Sequence, residues 1–310
     1  MRPLIAILGP TATGKSSLGL RIGEEIDGEI INADALQVYR ELEIGTDKPS
    51  EAMRAALPHH LVDILDPEEL YSAGEFVRRA RPLIDEIRDR GRAPILVGGS
   101  GLYLRALLEG LSPMPPSDPE TRTMLEERLA REGLEVLYCE LLQVDPDTAR
   151  RLAPRDRQRI LRALEVAVSS GRPLSSWIRQ RPLGTKPLEA VKIGLTLPRT
   201  ILYDRISSRV EDMVRRGWVD EVAAILQRGV DPQVPAFQAI GYRQIVRHVQ
   251  GGWSLRAAMD DTVRATRRYA KRQMTWFRKE KDVRWIPASE IEAELPHLFE
   301  QLNRGGSVAR

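Results

Sequence analysis

The chain has 310 residues, 42% of them hydrophobic, 29% charged and 5% aromatic, proportions that exclude fibrous and disordered classes and fit a globular protein with one large core and a second lobe. A formal net charge of +3 makes no case by itself for a nucleic-acid partner. The single cysteine, Cys139, excludes an internal disulfide framework and a multi-cysteine zinc site, suits a reducing cytoplasm, and reads as a small buried hydrophobe.

The opening run MRPLIAILGP is too short for a signal peptide or a membrane span and reads as a first strand. It leads into GPTATGKS, Gly9 to Ser16, which fits G-x-x-x-x-G-K-[ST], the phosphate loop of ATP-binding and other nucleotide-binding proteins, between a strand and a helix expected over residues 15–26. Glycines let successive N–H groups point inward, and the helix N-terminus adds partial positive charge. Lys15 supplies a full charge and Ser16 a hydroxyl suited to Mg²⁺. A ligand with two or more phosphates is expected here.

The next strand, in GEIINAD, places Asp34 at its carboxyl end, the edge of an open α/β sheet where ligands bind. Asp34 there can serve as metal ligand, general base or helix cap. In the following ALQVYR, Gln37 can read a base edge, and Tyr39 and Arg40 can stack or pair. His59 and His60 tempt a metal assignment, but adjacent histidines seldom share one metal, so a loop or structural role is expected. After a helix over residues 75–90, the buried strand APILVGG ends in Gly98-Gly99-Ser100-Gly101. A kinase or NTPase ordinarily carries an Asp at such a strand end to help hold metal and water. None follows here, so the loop is read as gripping a diphosphate without passing on its phosphoryl group.

Strand and helix alternate through this first third, which implies a parallel sheet with helices on both faces. LSPMPPSDP, residues 111–119, is a boundary no helix interior accepts. Arginine-rich helical text then runs to RPLGTKP, and AVKIGLTL supplies a further apolar run. The division expected is a catalytic core of residues 1–115 and 190–310 with a helical insertion over 116–189. Leu202, Ile206, Val210 and Met213 recur at helical spacing, with Arg205 and Arg209 on the opposite face. Between Arg264 and Arg284 nine basic residues stand against Glu280 and Asp282, a surplus of +7. Arg264, Arg267, Arg268, Lys271 and Arg272 form one basic helical face, which with Trp276 and Phe277 nearby is read as an RNA surface.

Several stretches together resemble the tRNA dimethylallyltransferases, also called tRNA isopentenyltransferases: GPTATGKS, NADALQVYR, IGTDKP, PHHLVDILDP, YSAGEF, ILVGGSGLYLRAL, PRDRQRILRALEV, AIGYRQ and YAKRQMTWFR, in family order from residue 9 to 278. The resemblance implies transfer of a dimethylallyl group from dimethylallyl diphosphate to N6 of the adenosine 3′ of the anticodon, releasing diphosphate, with Mg²⁺. It puts the diphosphate in a cradle of Gly9, Thr11, Ala12, Thr13, Gly14, Lys15 and Ser16, with Ser16 holding the metal and Arg209 pairing with the diphosphate. Asp34 matches the proposed general base and Gln37 the reader of the adenine. The anticodon stem-loop is implied to meet Asp34, Ala35, Leu36, Gln37, Ser100, Arg122, Gln158, Arg159, Ile160, Leu161, Arg162, Gln238, Gly241, Arg243, Lys271 and Arg272. Many members have Ser-Met where Ala35 and Leu36 stand and Thr where Ser100 stands.

The chemistry stands beside the name. Adenine N6 is a poor nucleophile, so its proton must be taken as the new bond forms, and Asp34 is the available carboxylate. An allylic diphosphate leaving needs cations on its oxygens, which Lys15 and Arg209 offer. Three other readings compete: a P-loop small-molecule or nucleoside kinase, an isopentenyltransferase acting on free adenine nucleotides, and a non-catalytic RNA-binding protein. The strand end without a carboxylate weighs against the first, the insertion and basic face against the second, and the phosphate loop with Asp34 against the third. No heptad seam is present, and a cytoplasmic monomer without an obligate protein partner or membrane attachment is expected.

Overall fold

The computed structural model describes residues 2–180 and 187–303, in two compact units: one of residues 1–108 with 188–310, the other Glu109–Pro187. The first is built on a wholly parallel sheet of β1 (Leu4–Leu8), β2 (Gly28–Asn32), β3 (His59–His60), β4 (Ala93–Val97), β5 (Ala190–Thr196) and β6 (Val283–Pro287), in spatial order β3-β2-β4-β1-β5-β6. Its helices are α1 (Lys15–Ile26), α2 (Glu51–Ala56), α3 (Ala73–Asp89) and α4 (Gly101–Glu109) before the insertion. The insertion contributes α5 (Pro119–Glu132), α6 (Leu134–Val144), α7 (Pro146–Ala149), α8 (Arg157–Ser170) and α9 (Leu174–Ile178). After it come α10 (Arg199–Arg215), α11 (Trp218–Gln227), α12 (Tyr242–Val249), α13 (Leu255–Phe277) and α14 (Ile291–Asn303).

The strands read as continuous apolar runs because both faces are covered. In β1, Ile5 and Ile7 pack with Leu18 and Ile22 of α1 and Leu298 of α14, while Leu4, Ala6 and Leu8 pack with Phe76 and Ile84 of α3 and Leu104 of α4. Parallel register puts all carboxyl ends at one edge, so the chain leaves β1 into the phosphate loop and β2 into Asp34 beside the turn Gly98–Ser100 after β4. A third cluster, centred on Trp218, Tyr242 and Phe237, joins α10 to α13 to the segment after β2.

His59 and His60 form the edge strand β3 rather than a loop. His60 Nε2 lies 2.6 Å from Glu29 of β2, a carboxylate that Arg90 and Arg92 also grip. Burial opposes charge on Glu29, yet Arg90, His60 and Arg92 hold it down at about 2. His60 is thus structural, and among the described residues no cluster of three His, Cys, Asp or Glu side chains stands ready for a metal.

The insertion has its own core of Leu125, Leu137, Leu141, Ile160, Leu161 and Leu164. The compact unit begins seven residues before the expected 116, at Glu109. The reason is polar: Glu165 of α8, 1% exposed, accepts from the Ser117 hydroxyl and the Asp118 N–H, and Arg162 donates to the Pro115 carbonyl, so the proline-rich stretch is bound to the insertion. The closing breakers at 181–186 lie outside the described residues. Cys139 is exposed rather than buried, because α6 turns Leu137 and Leu141 inward and Cys139 falls on the opposite side. Among the described residues no helix is long and apolar enough to cross a membrane.

Candidate active site

Two cavities open at the carboxyl edge of the sheet. One, of about 510 Å³, is lined by Thr11, Ala12, Gly14, Lys15 and Ser16 of the phosphate loop together with Asp34, Gln37, Arg205 and Arg209. The other, of about 380 Å³, is walled by Ala35, Leu36, Ile206, Val210, Met213, Trp218 and Ile240, with Ser100, Gln238 and Arg272 among its polar residues. Thr11, Asp34, Thr46, Arg209 and Tyr269 line both. The first cavity carries the cations Lys15, Arg205 and Arg209, the second is the more apolar of the two, and Asp34 lines both.

The loop takes its shape from its own hydrogen bonds. Thr13 gives its hydroxyl to the Pro10 carbonyl at 2.8 Å and is buried, so that hydroxyl is committed to the loop rather than to a ligand. Ala12, at φ 64, packs against the Leu202–Ile206–Ala270 cluster. Lys15 Nζ donates to the same Pro10 carbonyl at 2.8 Å. Burial, helped by neighbouring Arg209 and opposed by Asp34, lowers its pKa to about 8. The loop thus carries a cation whose charge a bound anion stabilises.

Asp34 Oδ1 accepts the Leu36 N–H at 2.8 Å, an Asx-type turn rather than a helix cap, since no helix follows β2 directly. Arg209 Nη1 donates to Thr11 Oγ1 at 2.8 Å, and Nη2 lies 3.4 Å from Asp47 Oδ2. Its Nε is buried without a partner among the described residues, the kind of donor a ligand oxygen satisfies. Tyr269 of α13 completes the junction, its phenol pushed up to about 12 by burial and by Asp34 against the opposing pull of Arg272, Ser100 and Gln273.

The structure brings together Lys15, Ser16, Asp34, Ala35, Leu36, Gln37, Ser100, Arg209, Gln238 and Arg272 from segments more than two hundred residues apart. Gln37 spends its amide on the Thr46 and Asp47 carbonyls, at 3.2 and 3.1 Å. Tyr39 does not stack on a ligand: it is 4% exposed and donates to the Glu69 carbonyl, and Arg40 pairs with Asp66. Ile160 and Leu161 are in the insertion core, fully buried, which removes their side chains from any RNA contact, while Gln158 and Arg159 beside them are exposed. Arg122 pairs with Glu126, and Arg162 with Glu165. Gly241, at φ +95, is buried where a side chain would strike Trp218, so it serves packing, whereas Arg243 is exposed.

The basic face of α13 is only partly free. Arg267 turns into α10, donating to Ser207 Oγ at 2.8 Å and lying over the Tyr203 ring, and Arg264 pairs with Asp261. Arg268, Lys271 and Arg272 remain exposed. Phe277 is core and Trp276 lies under Arg105, so neither is a platform for RNA bases. Sequence reasoning quoted Thr46, Asp47, Tyr269 and Gln273 only inside longer motifs and gave them no role, and it gave none to Arg205, which is exposed at the rim of the first cavity. The signal available was spacing: Arg205 and Arg209, and Tyr269 and Gln273, are each one helical turn apart.

A model of the family described as IPP transferase matches residues 37–280. A tRNA dimethylallyltransferase of Syntrophobacter fumaroxidans is 46% identical over 299 residues, 96% of this chain and 87% of that one. The chain belongs to the tRNA dimethylallyltransferase family. Its fold agrees with a crystal structure of the tRNA isopentenylpyrophosphate transferase of Staphylococcus epidermidis, TM-score 0.71 at 34% identity over 97% of this chain and 98% of that one. It agrees also with a eukaryotic dimethylallyltransferase acting on tRNA, TM-score 0.78 at 27% identity over 95% of this chain and 76% of that one. The matched stretch of the family model begins after the phosphate loop, so the loop and the family match are separate observations.

Proposed function

We propose that this protein transfers the dimethylallyl group of dimethylallyl diphosphate to N6 of the adenosine on the 3′ side of the anticodon in tRNA, in the cytoplasm and as a monomer. The observation that carries the reading is the junction: a cationic phosphate cavity and an apolar cavity that share Asp34, Thr11 and Arg209. A prenyl diphosphate has those two ends, a charged one and an apolar one, and its reacting carbon lies between them.

In this reading the phosphate-loop N–H groups, Lys15 and Arg209 hold the diphosphate, Lys15 leaving Pro10 to do so. The adenine N6 attacks the first carbon of the dimethylallyl group as the bond from that carbon to the diphosphate oxygen breaks, and the N6 proton passes to the Asp34 carboxylate. Negative charge grows on the departing oxygen, where fixed cations act most strongly. Asp34 keeps its hydrogen bond from Leu36 N–H while it takes the proton, which holds its orientation. Ser16 and Asp34 line one cavity with oxygen donors, a set that fits a hard divalent cation. Mg²⁺ held by Ser16 and the diphosphate would neutralise charge on the leaving group. Tyr269 and the apolar wall keep water from the reacting carbon.

Reaching the site requires the adenosine to leave its stack, at a cost of a few kcal/mol, so the RNA must be held elsewhere. Arg268, Lys271 and Arg272 on α13, and Gln238 and Arg243 before and on α12, are the groups assigned that task. A kinase reading is disfavoured because β4, beside β1, ends in Gly98-Gly99 without a carboxylate. The test is to incubate the protein and Mg²⁺ with an anticodon stem-loop carrying that adenosine, supplying dimethylallyl diphosphate or ATP in parallel, and to weigh the RNA. One added isopentenyl unit with the isoprenoid diphosphate alone is the expected result; ATP consumed without an adduct overturns it.

A further inference from the structure

One buried polar side chain at the junction has no part in the chemistry above. Gln273 of α13 is 6% exposed and sits between two loops that leave neighbouring strands. Its Oε1 accepts the Thr11 N–H at 3.0 Å, and its Nε2 donates to the Gly99 carbonyl at 2.8 Å. Thr11 belongs to the phosphate loop after β1; Gly99 precedes Ser100 in the turn after β4. The seat is close-fitting, since a methyl group on Gly99 would stand 2.3 Å from Nε2.

We infer that Gln273 is a positioning residue for the transfer: it fixes the phosphate loop and the Gly99–Ser100 turn in one relation, across the junction where the two cavities meet. The inference rests on the proposed function and goes beyond it. Thr11 is held at both ends, its backbone by Gln273 and its hydroxyl by Arg209 at 2.8 Å, so the anchor of the guanidinium is itself anchored to α13. The Thr11 N–H is thereby withdrawn from the phosphate-binding set and used to locate it. The amide meets both demands at once at any pH, accepting from an N–H and donating to a carbonyl. A glutamate turns a carboxylate toward the Gly99 carbonyl, and a methionine of similar length leaves both backbone groups unpaired.

The test compares Gln273→Met and Gln273→Glu with the parent, measuring thermal midpoint, inorganic pyrophosphate affinity by calorimetry, stem-loop affinity by anisotropy, and single-turnover transfer at saturating substrates. Misplacing reacting groups by about an ångström costs up to ~10² in rate. Both variants are therefore expected to transfer at least ~10-fold more slowly while binding the stem-loop within about twofold of the parent. The glutamate variant, relative to the parent at each pH, should regain rate as pH falls, because its protonated carboxyl can again donate toward Gly99; the methionine variant should not. An unchanged single-turnover rate in a folded Gln273→Met protein, or a loss fully explained by the unfolded fraction, overturns the inference. Gly99→Ala, which crowds Nε2 from the opposite side, gives the same readout should the Gln273 variants fold poorly. If the parent binds pyrophosphate but transfers nothing, the proposed function fails, while a weakened pyrophosphate affinity in the variants still reports the hold of Gln273 on the phosphate loop.

Discussion

Several arginines of the insertion and three exposed cations of α13 look alike in the sequence and behave differently in the fold. In the insertion, Arg122 pairs with Glu126, Arg128 with Glu132 and Glu140, Arg157 with Glu126, and Arg162 with Glu165. On α13, Arg268, Lys271 and Arg272 are exposed, and among the described residues none has a carboxylate within ion-pair distance. A paired guanidinium has fewer N–H donors left for a phosphate and its charge is already partly matched; an unpaired one keeps both. Local charge balance, rather than arginine count, separates a solvated structural face from one free to hold RNA.

That contrast can be tested against the reaction centre, where the largest effect is expected. Replacing Asp34 by Asn should lower single-turnover transfer by ~10² or more with stem-loop affinity nearly intact. Equal rates would remove Asp34 from proton transfer and leave its Leu36 hydrogen bond as its whole role. Next, the double change of Lys271 and Arg272 to Ala should weaken stem-loop binding and reduce the slope of log affinity against log salt by roughly 1 to 2, as about 0.7 to 0.9 is lost per phosphate contact. An undiminished slope would place the RNA away from α13.

A smaller effect is expected from pH. Lys15 is held down at about 8 in the free protein, first by burial and then by Arg209. A bound anion favours its charged form, so the Lys15 contribution to pyrophosphate affinity, referred to a single ionisation state of pyrophosphate, should be constant below that value and fall as pH rises through it, by at most ~10-fold per unit. Titration by calorimetry at pH 7 and pH 9 measures this, and a flat profile would mean that Lys15 contributes no net charge to binding. The smallest effect belongs to the insertion: Arg122→Ala should change stem-loop affinity less than the α13 pair does, because its charge is already matched by Glu126 and Glu165. A larger loss would reverse the comparison between the two regions.

Much of the centre was legible without coordinates. The loop from Gly9 to Ser16 needs only a strand, a turn and a helix in sequence, so its spacing determines its geometry. Asp34 was legible as the end of a buried strand, and Arg209 came with the family resemblance. Unread were the residues whose role depends on what arrives from elsewhere. Tyr269 and Gln273 stand in a helix text dominated by cations, and nothing local says that they meet Thr11 and Gly99. Tyr39, Trp276 and Phe277 looked like stacking platforms, yet tertiary packing made them core or covered wall. Ile160 and Leu161 sat inside a motif attributed to RNA contact, but the 3.6-residue period of α8 turned them inward while leaving Gln158 and Arg159 outside.

By itself, then, the sequence determined what depends on neighbours along the chain: the phosphate loop, the apolar strands, and the proline-rich start of the insertion. Which charges stay unpaired, which aromatics are covered, and that a glutamine more than two hundred residues away holds the phosphate loop in place were decided only by the tertiary structure. The physical reason is that pairing and burial are set by distances between segments, and the parallel sheet alone brings the ends of β1, β2 and β4 within reach of α10 and α13.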